Sequence, residues 1–202
     1  MVKLTVVYDN EVFQKGLRSD WGFSCLVETN DRNILFDTGA DEEILRYNMD
    51  KLNIDPKNMD AVFLSHDHWD HTGGLQCILE AKPDVEIYRP DLSSSPREFL
   101  PGLVTTGLLA NIEQSLIIKT KKGLVVIGGC SHPGLENILD VAREQGKIQA
   151  VIGGFHGFDK FDALGDIPLT IPCHCTQHIQ KILDLYPKRS ERGGVGKTIE
   201  IM

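Results

Sequence analysis

Three histidines and two aspartates fall within six positions, His66 to His71, inside the stretch Ser65-His66-Asp67-His68-Trp69-Asp70-His71-Thr72-Gly73-Gly74. A short apolar run, Ala61-Val62-Phe63-Leu64, precedes it. Five ionisable groups packed this closely cost stability unless an opposite charge holds them. Imidazole and carboxylate are ligands of first-row metals, so one or two bound cations explain the cluster better than a solvated polar turn. The chain must therefore fold into a scaffold that delivers a polar, ligand-bearing loop from the end of a buried strand.

The chain's 202 residues suit one domain over 1–202 built from two αβ halves, roughly 1–107 and 108–202. In the first half, residues 3–8 alternate as a strand and residues 9–22 read as a loop with at most a turn of helix. Strands over 23–29 and 33–36 flank a hairpin signal, Asn30-Asp31-Arg32, and the second ends in Asp37-Thr38-Gly39. Asp41 caps a helix running to about Leu52, with Ile44, Leu45, Asn48 and Leu52 near one face. The metal-like loop then leads into a helix over 73–81 and a short strand over 85–88. Residues 89–107, rich in proline, serine and glycine, form the longest irregular segment, suited to a lid or to a plain connection.

The second half repeats the rhythm. Strands are expected over 115–119, 124–127, 148–152, 169–171 and 198–201, with helices over 133–144 and 176–186. The first of these helices turns Leu135, Ile138, Leu139 and Ala142 inward, and Gly146 closes it. Strands with interspersed helices and hairpins in two halves fit an α/β fold: two mixed sheets face to face, helices outside.

Further histidines sit at strand ends beside Gly, Pro, Ser or Cys: His132 in Gly129-Cys130-Ser131-His132-Pro133, His174 in Pro172-Cys173-His174-Cys175, and His156 in Gly153-Gly154-Phe155-His156-Gly157. Loops at the carboxyl ends of strands form the usual site of an open sheet. His132 and His174 read better as ligands than as satisfied polar residues, while His156 divides between substrate contact, acid and turn filler. Cys173 and Cys175 read as buried, inert thiols, and His178 as a surface residue. Trp21 and Trp69 suit either a pocket for a flat substrate or the core.

At this point the chain resembles the metallo-β-lactamase superfamily. His66-Asp67-His68-Trp69-Asp70-His71 has the form of its His-x-His-x-Asp-His signature, and Asp37-Thr38-Gly39 stands where the family places its first motif. The motifs around His132, His156 and His174 resemble a narrower branch of metal-dependent hydrolases that includes an archaeal dihydropterin–ribofuranosylaminobenzene phosphate synthase. The resemblance implies a four-layer αβ/βα sandwich. It also implies that His66 and His68 hold a first metal, completed by His132, that Asp70 and His71 hold a second, and that His174 is the last histidine ligand. The family's bridging aspartate has no counterpart: the matching strand ends in Gly128-Gly129-Cys130, so either Cys130 replaces it or no protein bridge exists. Asp37 reads as a group that orients the metal loop.

A histidine-rich site with an open position lowers the pKa of bound water to about 7 and supplies hydroxide at neutral pH. Two ions ~3.5–4 Å apart would also stabilise charge developing on an ester or phosphate oxygen. Asp70 is placed to take a proton, with His156 as a second catalytic candidate. The divalent metal is expected to be zinc, with manganese, magnesium or iron as alternatives. The expected function is a metal-dependent hydrolase of an ester, phosphoester or related small molecule. The alternative is a pterin-pathway transferase releasing pyrophosphate, whose substrate would be phosphate-containing and pterin-like. A non-catalytic or redox metal module ranks below both.

The formal net charge of −8 argues against a nucleic-acid partner. No apolar run reaches the ~20 residues that span a bilayer, and the first residues read as a strand rather than a signal peptide. An odd count of five cysteines gives no disulfide framework, which points to the cytoplasm. Two short matches fail. Asp37-Thr38-Gly39 occurs once, where an aspartic-protease site needs two copies. The glycines of 193–198 have Glu191 where a phosphate loop needs glycine, and no helix can follow them.

Overall fold

The computed structural model describes residues 1–201 and divides into two compact units. The first comprises Met1–Arg89 together with the described residues from Gly193 on, and the second is Pro90–Arg192. The boundary thus falls before the irregular segment, not near residue 107, and the last strand belongs to the first unit.

In the first unit, strands β1 (Val2–Tyr8), β2 (Ser24–Glu28), β3 (Asn33–Phe36), β4 (Ala61–Phe63), β5 (Glu86–Tyr88) and β12 (Thr198–Ile201) form one mixed sheet in the order β12-β1-β2-β3-β4-β5. The β2–β3 turn is closed by Thr29, whose hydroxyl accepts the Arg32 N–H at 2.9 Å. β3, β4 and β5 run parallel, so the loops after β3 and β4 leave the same sheet edge. Those loops carry Asp37 and the histidine cluster.

Helix α1 (Glu42–Lys51) starts at Asp41, whose carboxylate accepts the N–H groups of Glu43 and Ile44 at 2.8 and 3.0 Å. It buries Leu45, Asn48 and Met49. Asn48 is inward because its amide is fully used: it donates to the carbonyls of Val7 and Arg18 and accepts the Arg18 N–H. That ties down the 9–22 segment, which holds no helix. The glycines of 193–198 serve the same segment, since Val195 O accepts from both Phe13 N and Gln14 N at 3.0 Å. The helix expected over 73–81 is α3 (Leu75–Ala81), which starts two residues later, and a separate short helix, α2 (Trp69–Thr72), precedes the glycine pair within the stretch read as a loop.

The second unit is a mixed sheet in the order β11-β10-β9-β8-β7-β6. Its strands are β6 (Arg97–Leu100), β7 (Leu103–Thr105), β8 (Leu116–Thr120), β9 (Gly123–Gly128), β10 (Ile148–Gly154) and β11 (Leu169–Cys173). The β6–β7 hairpin lies inside the segment read as irregular. β9, β10 and β11 are parallel, and their carboxyl ends carry the loops of His132, His156 and His174. Helix α4 (Leu135–Gln145) packs Leu135, Ile138, Leu139 and Ala142 against Val126 and Val151, and Gly146 ends it. Helix α5 spans Ile179–Leu185, three residues later at its start than the spacing predicts. Thr176 and Gln177 are used otherwise: Thr176 Oγ1 accepts the Phe155 N–H at 2.9 Å, and Gln177 N donates to His156 O at 2.9 Å. Among the described residues, no helix is long and apolar enough to cross a membrane.

Candidate functional site

The first unit's candidate ligand loop is built on one carboxylate. Asp37 follows β3, is fully buried, and has a left-handed backbone at φ 51°. Its Oδ1 accepts the Ser65 N–H at 2.7 Å, and its Oδ2 accepts the Ser65 hydroxyl and His71 Nδ1–H, both at 2.7 Å. Ser65 has a single hydroxyl hydrogen, which goes to Asp37. Its oxygen must therefore accept from His66 Nδ1, 2.8 Å away. Both His66 and His71 thus carry their proton on Nδ1 and present Nε2 as a lone pair. This is how a metal-ligating imidazole is oriented by a carboxylate behind it.

The Nε2 atoms face further donors. His66 Nε2 lies 3.0 Å from His68 Nδ1, the rings of His66 and His71 are 4.2 Å apart, and His71 Nε2 is 3.7 Å from Asp70 Oδ2. Asp70 and His71 offer ligand atoms within 4.8 Å of each other, as do His66 and His68. A donor set of imidazole nitrogens and a carboxylate, with tautomers already fixed, fits a first-row divalent ion.

In the second unit the organising group is Glu113, which the sequence reading missed. It is fully buried. Its Oε1 accepts the N–H groups of Gly129, Cys130 and Ser131, each at 3.0 Å, and its Oε2 accepts that of His132 at 2.9 Å. Four consecutive amides gathered on one carboxylate fix the loop that follows β9. Ser131 Oγ donates to Gly154 O at 2.7 Å and joins that loop to the end of β10. The rings of His132 and His156 are 5.2 Å apart, and Cys130 and His174 offer ligand atoms within 4.8 Å of each other. Ser131, His156 and His174 have φ of 61°, 44° and 47°. Left-handed backbone at non-glycine residues costs about 1–3 kcal/mol each and concentrates at functional sites. A cavity of about 310 Å³ in this unit is lined by His132, Glu136, Phe155, His156, Phe158 and neighbouring residues.

Two readings of the sequence need revision. Cys173 is buried, but Cys175 is only partly so. A hydrogen bond to Cys130 and the charge of His174 hold the Cys175 thiol below its usual pKa. Core packing of the tryptophans fails, since Trp21 is 51% and Trp69 64% exposed. His178 is an exposed residue at the start of α5 whose ring meets Phe161 edge-on at 5.9 Å. None of the five cysteines is in a disulfide.

Comparison with known proteins gives the following. A sequence model of the metallo-beta-lactamase superfamily matches residues 22–130. The 7,8-dihydropterin-6-methyl-4-(beta-D-ribofuranosyl)-aminobenzene-5'-phosphate synthase of Methanocaldococcus jannaschii is 29% identical, over 77% of this chain and 77% of that protein. Among solved structures, a metal-dependent hydrolase of the beta-lactamase superfamily superposes with a TM-score of 0.81 at 24% identity, over 100% of this chain and 99% of that one. A diphosphatase of the PhnP family superposes with a TM-score of 0.62 at 14% identity, over 100% and 98% of the two chains. Both structural likenesses are likenesses of fold.

Proposed function

The chain belongs to the metallo-beta-lactamase superfamily, and from that premise we propose that it is a metal-dependent hydrolase of a small ester or phosphoester. His66, His68, Asp70 and His71, with His132 and His174, are the proposed ligands of one or two divalent ions, zinc first. Cys130 is proposed in place of the bridging carboxylate. The observation that carries the reading is the Asp37 relay, which sets the tautomers of His66 and His71 so that both Nε2 atoms are lone pairs.

A divalent ion bound there supplies Lewis acidity, which activates water near neutral pH and offsets charge developing on the substrate's oxygen. The chain's own residues do the rest. Asp70 takes the proton of the attacking water on a carboxylate oxygen. His156, exposed on the rim of the 310 Å³ cavity, gives a proton to the leaving oxygen and recovers it from solvent. Phe155 and Phe158 keep one wall of that cavity apolar.

A second reading is favoured by the 29% identical relative: a transferase joining a pyrophosphate-activated pterin to an aryl amine. The aryl amine would attack the activated carbon, and the carbon–oxygen bond to pyrophosphate would break. In that case the ligand set serves the leaving pyrophosphate rather than water.

Metal analysis of the chain purified without added metal should give one or two equivalents of divalent ion. His68→Ala should lose at least one equivalent and lower turnover of a model phosphodiester by about 100-fold or more, as expected when a ligand rather than an outer group is removed. Unchanged metal content and turnover in His68→Ala would refute the site. Pyrophosphate release from the activated pterin and aryl amine, with no hydrolysis of model esters or phosphodiesters, would replace the first reading by the second.

A further inference from the structure

The chain has two tryptophans, and both stand beside the ligand loop of the first unit. Trp69 opens α2, between the candidate ligands His68 and Asp70. Trp21 is brought to the same loop by the backbone: Phe23 N–H donates to Asp70 O at 3.2 Å. Gly22 makes that approach feasible. Its φ is +147°, and a Cβ there would lie 2.5 Å from the Asp70 carbonyl oxygen. The segment is pressed onto the loop at the one residue type that permits it.

Indoles are the largest apolar side chains, and a fold ordinarily hides much of them. This unit has the means to do so, because Tyr8, Phe23, Phe36 and Phe63 are fully buried. The two tryptophans are instead 51% and 64% exposed. Phe13 is the unit's other exposed aromatic, and Lys197 covers its ring at 4.6 Å. Exposed apolar surface held against a polar ligand loop has a specific use. A flat, electron-rich face there adds stacking to the polar contacts that a metal loop offers.

We propose that Trp21 and Trp69 form an aromatic subsite for a planar heteroaromatic group of the substrate, next to the ligand loop. The proposal rests on the reading of the chain as a metal-dependent enzyme of a small molecule, and it narrows that substrate to one with a flat ring. It concerns recognition only and involves no covalent step.

With no other tryptophan in the chain, intrinsic fluorescence reports on these two residues alone. The full chain loaded with zinc would be titrated with pterin and with adenosine monophosphate, and with ribose phosphate as a ring-free control. Saturable quenching by a ring compound but not by ribose phosphate is expected. Trp69→Leu and Trp21→Leu should each bind the ring compound about 5- to 150-fold more weakly, the worth of one aromatic stack. The remaining tryptophan is the reporter in each variant. Both positions are exposed, so the variants should keep the wild-type circular dichroism and zinc content, while Trp69→Phe should restore part of the affinity. No quenching by either ring compound, with zinc still bound, overturns the subsite and leaves the metal reading intact. Loss of zinc binding by the wild-type chain would be a failure of the metal reading instead. Equal quenching by ribose phosphate, or variants that bind the ring as well as wild type, also overturns the subsite.

Discussion

Asp37→Asn should fold nearly as well as the wild-type chain and bind zinc about 10- to 100-fold more weakly, the usual effect of removing a partner behind a ligand. Asp37 accepts hydrogen bonds from the Ser65 N–H, the Ser65 hydroxyl and His71 Nδ1. An asparagine of the same shape keeps one oxygen, which can stay on the Ser65 N–H. Its NH₂ then stands where Oδ2 was and donates. His71 Nδ1 can meet that donor only as an acceptor, so its proton moves to Nε2, the atom offered to a metal. Ser65 is reversed too: it accepts from the amide and turns its hydrogen toward His66 Nδ1, so the His66 proton also moves to Nε2. A single-atom change thereby blocks two proposed ligands with little loss of packing.

Asp37→Ala should behave differently. It strands buried donors, each costing about 1–3 kcal/mol, so the loss of stability should be roughly 3–5 kcal/mol against a typical total of 5–15. Zinc affinity by chelator competition and the midpoint of urea unfolding separate the two variants. Wild-type zinc affinity in Asp37→Asn would show that the relay does not set the tautomers.

How much of this was legible in the sequence depends on how local each signal is. The candidate ligand loop stood out because its donor side chains lie within six positions and follow an apolar run. The inward face of α4 was legible because Leu135, Ile138, Leu139 and Ala142 repeat at helical spacing, and all four are buried. The β6–β7 hairpin was missed although Pro101-Gly102 marks its turn, with Gly102 at φ 75°. β6 is short and partly exposed and β7 is only three residues, all buried, so no alternation stood out. The start of α5 was misplaced because Thr176 has a better partner in the β10 loop than in its own helix, which no periodicity reveals. The exposure of Trp21 and Trp69 was also beyond local reading, since burial of a loop residue is decided by what packs over it.

Glu113 is the extreme case. Glu113-Gln114-Ser115 reads as a polar link, and its partners lie 16 to 19 positions ahead in the chain. Glycines and a Ser-His-Pro run give a loop with no side chain of its own to satisfy four successive amides. Buried N–H groups must be paired, so an acceptor had to come from elsewhere, but nothing in the sequence says which. Asp37 and Glu113 do parallel jobs in their units: each is a fully buried carboxylate that fixes a loop carrying candidate ligands.

Glu113→Ala should therefore be among the most damaging single changes in the second unit. It removes the acceptor of four buried N–H groups, from Gly129 to His132. The groups can relax partly toward water, so the cost does not sum over four bonds. A loss of roughly 3–5 kcal/mol is expected, as for removing a buried charged partner. Glu113→Gln should cost less, about 1–3 kcal/mol. One amide oxygen can keep the three N–H groups that Oε1 now accepts, while the NH₂ confronts the His132 N–H. That is a donor against a donor at the residue proposed as a ligand, so His132 is displaced while Gly129, Cys130 and Ser131 stay held. The expected signature of Glu113→Gln is a modest drop in the urea midpoint with a weakened metal site. Glu113→Ala should lower the midpoint much further. Stability within 0.5 kcal/mol of wild type in both variants would mean that the loop holds its shape without the carboxylate.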